Sequence, residues 1–366
     1  MKRIAIFFDG TWNNFSGTNV LRLANMVRRE APDGPSQLIL YCPGVGTSYK
    51  SQVIPKWIDR YGGGTFGWGL DDQIMQAYQH LAMNYAPGDQ IFVFGFSRGG
   101  FAASSLVGLI RYCGLPPYQN YRDIPKALHH YRKVGNKVDP DDPAMLDWRL
   151  LFSPYVHTSL NDRQFREGKT LSVSASIAYL GVWDMVSALG IPAFLPFAKF
   201  INRRQQFHSS NPIRYVEAAR HAVAIDETRV TFPVTLWDDW QTLNAADDTR
   251  TPRYAQQFFP GDHSSVGGGK ETFGLAAHAL TWVANGAFEQ GLAFDPTIFN
   301  LELNDADANA PADQPRRSLG VWDLLKAPFM VTRPAPKSIE EVSQAAFDRM
   351  KTHPSYRPET LRDFWP

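Results

Sequence analysis

Two cysteines in 366 residues, Cys42 and Cys113, are too few for a disulfide framework. They are expected to be reduced thiols in a cytosolic chain. Neither sign of charge is in excess. Against 37 Lys and Arg stand 36 Asp and Glu, a net charge of +1. This excludes nucleic-acid binding by bulk electrostatics. No apolar run reaches the length of a membrane span. The amino end, Met1-Lys-Arg-Ile-Ala-Ile-Phe-Phe-Asp9, is basic and then apolar. Its apolar part is too short for a signal-peptide core, and no small-residue cleavage site follows. The chain is therefore expected to be cytoplasmic as synthesised, with any export depending on a signal-independent secretion system. There is no EF-hand-like loop, and Asp262 beside His263 has no third ligand at a suitable spacing. Neither a metal nor a cofactor is expected.

What is present is an ordinary globular composition, 44% hydrophobic and 20% charged, with aromatics at 13%. Short continuous apolar runs alternate with helical periodicity in the first hundred residues. Residues 4–8, 37–42 and 91–94 read as buried strands. Between them, Thr18-Asn19 can cap a helix to about Arg29, and a three-four pattern runs from Asp71. The stretch from Tyr61 to Gly69 reads as a glycine-rich loop. It lacks the Lys-Ser/Thr of a phosphate-binding loop. This alternation predicts an α/β fold: an α/β-hydrolase-like, mostly parallel sheet with helices on both faces and helical or loop insertions. Residues 1–300 are read as one catalytic domain, with insertions at about 114–170, beside the serine turn described next, and 187–211. Residues 301–366 are read as an extension docking on it. Within that extension, 304–315 reads as a loop and 339–350 as a helix. Further expectations are a helix over 212–222 and a strand over 232–237.

One stretch carries chemistry. Gly95-Phe96-Ser97-Arg98-Gly99 follows an apolar strand and opens a small-residue helix. The bare G-x-S-x-G pattern arises by chance in about one chain in ten of this length. Its strand–turn–helix setting marks a nucleophile elbow. The elbow glycines Gly95 and Gly99 would keep side chains off the neighbouring strand and helix. Such an elbow needs an acid and a histidine downstream, in that order. Asp184 ends the apolar run 174–183. His263 lies in Pro260-Gly-Asp-His-Ser-Ser-Val-Gly-Gly-Gly269. Asp226 is the main rival acid. His221 and His278 fall on helical patterns and read as packing or surface residues. The expected oxyanion donors are the backbone N–H of Arg98 and that of Thr11 or Gly10 in the first strand's loop. Phe8-Asp9-Gly10-Thr11 also suggests a haloacid-dehalogenase phosphatase. That motif wants an Asp at position 7, which is Phe. The apolar run 191–201, interrupted by Pro192 and Pro196, can form a lip with Phe194, Leu195 and Phe197 as acyl-chain or lid contacts.

Four ordered motifs resemble one family: Ile6-Phe-Phe-Asp-Gly-Thr-Trp-Asn-Asn14, the elbow, Gly181-Val-Trp-Asp184 and the glycine loop around His263. They resemble an α/β-hydrolase domain family that includes the catalytic domain of type VI secretion phospholipase effectors. The resemblance runs from about Lys2 to Gly286. It implies Ser97 as nucleophile, Asp184 as acid and His263 as base. It also implies ester hydrolysis, with phospholipids as the substrate of its better-known members. The expected function is thus a serine hydrolase of carboxylic esters, on a lipid or phospholipid acyl ester with peripheral membrane contact. A small soluble ester or thioester, or a silent binding protein on a hydrolase scaffold, are the alternative readings.

Overall fold

Apolar runs too short for helices become the strands of one parallel sheet. The computed structural model describes residues 1–10, 17–44, 63–134, 137–187, 212–229, 232–238, 240–246, 252–270, 273–311 and 332–365. Its 6-stranded sheet contains β1 (Arg3–Phe8), β2 (Gln37–Cys42), β3 (Gln90–Phe96), β6 (Ser176–Trp183), β7 (Ala218–Ala224) and β8 (Tyr254–Phe259). The order is β2-β1-β3-β6-β7-β8, and every neighbouring pair is parallel. A small pair, β4 (Val156–His157) and β5 (Val173–Ser174), stands apart from it. The chain winds from β1 out to β2, then back past β1 to β3. The reversal falls between β1 and β3, and ligands of open parallel sheets gather beyond the carboxyl ends of the strands at such a switch point.

Alternation within the strands builds two cores. Ile4, Ile6, Phe8, Ile91 and Val93 face α2 (Gly63–Asn84) and α3 (Arg98–Cys113). Ala5, Phe7, Phe92, Phe94 and Phe96 face α1 (Asn19–Met26) and the later helix α9 (Gly274–Glu289). A register shift opposite Ile91 and Phe92 puts both Ala178 and Tyr179 of β6 in this second core. A third cluster, Val223, Ile225 and Phe258, is covered by Val342, Ala346, Met350 and Leu361 from the chain's end.

Several elements differ from expectation for identifiable reasons. α1 ends at Met26 because the next residues are captured by another segment. Val27 bridges Phe294, and the Arg28 N–H donates to Ala293 O at 3.0 Å. α2 begins at Gly63, inside the glycine-rich stretch. Interior glycines cost a helix about 1 kcal/mol each relative to Ala, so the buried Leu70, Ile74, Ala77, Tyr78 and Leu81 downstream must carry it. Residues 218–224 are a strand, not part of a helix. Their alanine-rich composition favours helix, but β7 lies between β6 and β8 with nearly every side chain buried, and tertiary pairing overrides propensity. Residues 232–237 form no strand beyond the Val186–Val234 bridge. β8 already occupies the edge of β7, Pro233 has no N–H, and the Trp237 N–H donates to the Gln256 side chain instead. The last long helix, α11 (Gln344–Thr352), starts later than expected because Ser343 caps it. Residues 305–311 pack down, with Ala308 and Ala310 buried and their carbonyls accepting from Arg349.

The insertion contains α4 (Ile124–Val134), α5 (Pro143–Phe152) and α6 (Leu160–Arg166). It leaves α3 at Cys113, the far end of a 16-residue helix that starts beside Ser97, about 24 Å away. Arg111 pairs with Asp141, the Tyr112 hydroxyl donates to Val138 O, and Gly108 abuts the Tyr131 hydroxyl. These contacts attach it to the distal half of α3, so its root lies away from the elbow rather than beside it.

Candidate active site

The elbow is built by close backbone packing. Ser97 takes φ 59 and ψ −126, a conformation that L-residues rarely adopt. A Cβ on Gly95 would lie 2.3 Å from Gly99 O, and one on Gly99 would lie 2.2 Å from Phe8 O. Both glycines are therefore obligatory for the turn to sit between β1 and β3. The Ser97 N–H donates to Trp183 O at 3.0 Å, and Ser97 O accepts from the Val186 N–H. These bonds tie the turn to the end of β6. The residue after Ser97, Arg98, opens α3, so the positive end of that helix dipole faces the serine. Burial lowers the Arg98 guanidinium to about 10.

Asp184 directly follows β6 and also has a positive φ, 36. The turn is pinned by its N–H, which donates to Ala222 O at 2.7 Å. Its Oδ1 accepts from the Ala224 N–H at 3.0 Å. His263 begins α8 (His263–Gly267), capped by the Asp262 side chain. His263 Nδ1 stands 2.5 Å from Asp184 Oδ2, and His263 Nε2 stands 2.8 Å from Ser97 Oγ. With the carboxylate on one side, Nδ1 is the donor and Nε2 accepts a hydrogen bond from the Ser97 hydroxyl, a tautomer that follows from its partners. The ring sits between Phe96 and Phe232, with centroids 4.7 Å and 4.8 Å away. Ser97 and His263 are each 4% exposed and Asp184 is fully buried.

The model for the catalytic domain of type VI secretion, Tle1-like phospholipase effectors matches residues 2–286. The chain belongs to that family. The matched span holds Ser97, Asp184 and His263. An uncharacterised protein of Saccharomyces cerevisiae is 28% identical over 241 residues, covering 63% of this chain and 32% of the yeast protein. Two solved structures are also similar. One is an uncharacterised protein from Pseudomonas aeruginosa, with TM-score 0.43 and 15% identity, covering 83% of this chain and 48% of that one. The other is the Tle1 effector bound to the VgrG spike of the type 6 secretion system, with TM-score 0.36 and 17% identity. There the coverage is 73% of this chain and 51% of the effector. The chain thus spans about half or less of each of these proteins.

Within this Tle1-like domain the remaining expected site residues are distributed unevenly. The Gly10 N–H donates to Asp9 Oδ1 at 2.6 Å. Asp9 is buried and also accepts from the Thr18 and Tyr41 hydroxyls, both at 2.6 Å. Its carboxylate thereby ties Gly10, Thr18 and Tyr41 together at the end of β1. Thr11, Phe194, Leu195 and Phe197 lie outside the described residues. Asp226, the rival acid, does not meet His263. Its Oδ2 accepts from the Gly261 N–H and the Tyr356 hydroxyl. His221 lies on β7, where Nε2 accepts the Met185 N–H and Nδ1 faces Gln256 Oε1. Burial lowers it to about 4, so it is neutral at physiological pH. Among the described residues, no three His, Cys, Asp or Glu side chains converge on a common metal position.

Sequence reasoning missed two charged neighbours. Glu227 is buried, chelates Arg229 and accepts the His263 N–H at 3.3 Å. Arg333 lies beyond the matched span, yet its Nη2 donates to Asp184 Oδ2 at 2.7 Å. Burial alone would raise the Asp184 carboxyl. The Arg333 charge, the His263 hydrogen bond and the Ala224 N–H outweigh it and hold Asp184 at about 2. For Glu227 the aspartate next to it was the visible signal. Arg333 stands in a short Thr-Arg-Pro stretch with no periodic pattern to single it out.

Proposed function

We propose that this chain is a serine hydrolase of acyl esters, with phospholipid the first substrate class. The observation that carries this reading is the chain of contacts from Ser97 Oγ through His263 to Asp184, at 2.8 and 2.5 Å, on a strained turn at the sheet's switch point. Membership in a phospholipase effector catalytic family supports the substrate class.

In this reading His263 Nε2 takes the Ser97 proton as Oγ attacks the ester carbonyl. The carbonyl π electrons move onto oxygen, giving a tetrahedral oxyanion. Asp184 holds the Nδ1–H tautomer and stabilises the imidazolium. The oxyanion collapses, the leaving alcohol takes the proton from His263, and an acyl-serine remains. Water, deprotonated by the same ring, repeats the sequence and releases the acid. The oxyanion donors are the Arg98 N–H and one from the β1 loop. Asp9 already engages the Gly10 N–H, which makes the Thr11 N–H the better second donor. Phe194, Leu195 and Phe197 are assigned as the acyl-chain lip on the apolar character of the run 191–201 alone, which favours a lipid over a short soluble ester.

The test is release of fatty acid from phosphatidylglycerol and phosphatidylethanolamine vesicles, alongside a chain-length series of monomeric esters. Wild type is expected to label with a fluorophosphonate and to gain rate at the lipid interface. Ser97→Ala is expected to lose about 10⁴-fold or more in kcat. A fully active Ser97→Ala variant would refute the mechanism. A preference for monomeric short esters would overturn the lipid assignment and leave the esterase chemistry standing.

A further inference from the structure

Arg333 shares one carboxylate oxygen with His263. Its Nη2 stands 2.7 Å from Asp184 Oδ2, and His263 Nδ1 stands 2.5 Å from the same atom. The guanidinium side chain is 2% exposed. Its Nε and Nη1 are buried and find no hydrogen-bond partner among the described residues. One other fully buried arginine makes many more bonds. Arg149 bonds Asp162 and the carbonyls of Arg111, Tyr112 and Pro140. Desolvating a guanidinium is costly, and a structural arginine recovers that cost only through many acceptors. Among the described residues Arg333 meets one, so scaffolding explains its burial poorly. The acceptor it meets is the acid of the site.

We propose that Arg333 is a positioning residue for ester hydrolysis: it anchors the Asp184 carboxylate and moderates the negative charge that His263 faces. This inference rests on the Ser97–His263–Asp184 reading above. With Oδ1 held by the Ala224 N–H and Oδ2 by two donors, the carboxylate has one orientation. The Arg333 cation also opposes an imidazolium on the other side of that oxygen.

The other charged groups around the pair are locally compensated. His221 approaches from β7 and is held neutral by burial. Glu227, which accepts the His263 N–H, is chelated by Arg229. Arg229 also acts on Asp184 at longer range. Asp262, adjacent to His263, is paired with Lys270 at 2.8 Å. Among the described residues, Arg333 is the cation in hydrogen-bond contact with Asp184.

Its delivery depends on the segment behind β8. The Lys337 N–H donates to Glu341 Oε2, Val342 bridges Phe258, and the Ser343 N–H donates to Phe258 O. The acid's environment is therefore completed by residues outside the matched span 2–286. The chain's end thereby contributes to catalytic performance.

The experiment compares full-length wild type, Arg333→Met and Arg333→Lys by kcat/KM against pH on a soluble nitrophenyl ester. Ser97→Ala serves as control. Arg333→Met is expected to move the acid limb of the profile up by about one unit, because loss of the cation favours the protonated base. Its plateau kcat should fall about tenfold from a looser carboxylate. Arg333→Lys, which keeps the charge, should hold the limb near the wild-type position. If Arg333→Met cannot be purified folded, Arg333→Gln removes the same charge, and the same shift is expected. An unmoved acid limb in the neutral variant would overturn the proposal, even if its thermal stability dropped. Activity retained by Ser97→Ala would sink the triad reading instead, which keeps the two failures distinct.

Discussion

Two aspartates stand at the carboxyl edge of one sheet, one strand apart. Asp184 follows β6, and Asp226 lies two residues past the end of β7. Both receive a side chain from the chain's end: Arg333 for Asp184 and Tyr356 for Asp226. Their states diverge. Asp184 is held at about 2 despite complete burial. Asp226 is raised, because burial dominates and the Gly261 N–H and Tyr356 hydroxyl only partly offset it. A cation and an imidazole favour a carboxylate far more than a phenol does. Position on the sheet edge makes an aspartate a candidate acid, and the partners decide whether it can serve as one.

That contrast predicts a graded series. Asp184→Asn should lower kcat by about 10⁴-fold, since the amide no longer enforces the correct imidazole tautomer. Asp226→Asn should stay within about threefold of wild type, because that carboxyl is hydrogen-bonded to Gly261 and Tyr356 and not to Ser97 or His263. Steady-state kinetics on one soluble ester compares both. Equal losses would erase the distinction between the two acids.

Stability against pH separates them next. The Asp184 carboxyl is lowered on folding, so its contribution is fully present above the unfolded value of about 4 and is lost as pH falls towards 2. The lowered carboxyl is worth about 2 kcal/mol at neutral pH, so Asp184→Asn should be clearly destabilised there and approach wild type in acid. Asp226 has the opposite sign. Its protonated form is favoured by the fold, so its contribution is present at low pH and is lost as pH rises through the shifted value. Asp226→Asn should therefore gain on wild type as pH is raised from acid to neutral. Thermal melts across that range test both signs, and parallel curves for the two variants would contradict the assignment.

The smallest effect is expected at Tyr356. Tyr356→Phe removes one hydrogen bond to Asp226 and should cost about 1 kcal/mol by urea unfolding, with kcat unchanged. A large loss of activity would mean that the Asp226 edge communicates with the reacting groups.

Much of the frame was legible from local pattern. The runs behind β1, β2 and β3 are continuous and apolar, and the elbow announces itself through a serine between two glycines after a strand. Asp184 and His263 stand in readable contexts, one after an apolar run and one in a glycine loop. β7 was not legible, because Ala218-Ala-Arg-His-Ala-Val-Ala224 has helical composition and becomes a strand only between two others. The root of the insertion was not legible for a related reason. Neighbours in sequence to α3 sit at its distal end, since a helix carries the chain away from its start.

By itself the sequence determined the candidate nucleophile, the order of acid and base after it, and the α/β class. These rest on backbone constraints and periodicity, which act over a few residues. Tertiary structure decided which histidine meets which acid, and that Asp184 rather than Asp226 is hydrogen-bonded to a guanidinium and an imidazole. It also decided that an arginine 149 positions away closes on Asp184. The physical reason is that burial and Coulomb interaction depend on distance in space. A carboxylate's state is set by groups a few ångströms away, and those groups come from strands, loops and a chain end that adjoin only after folding.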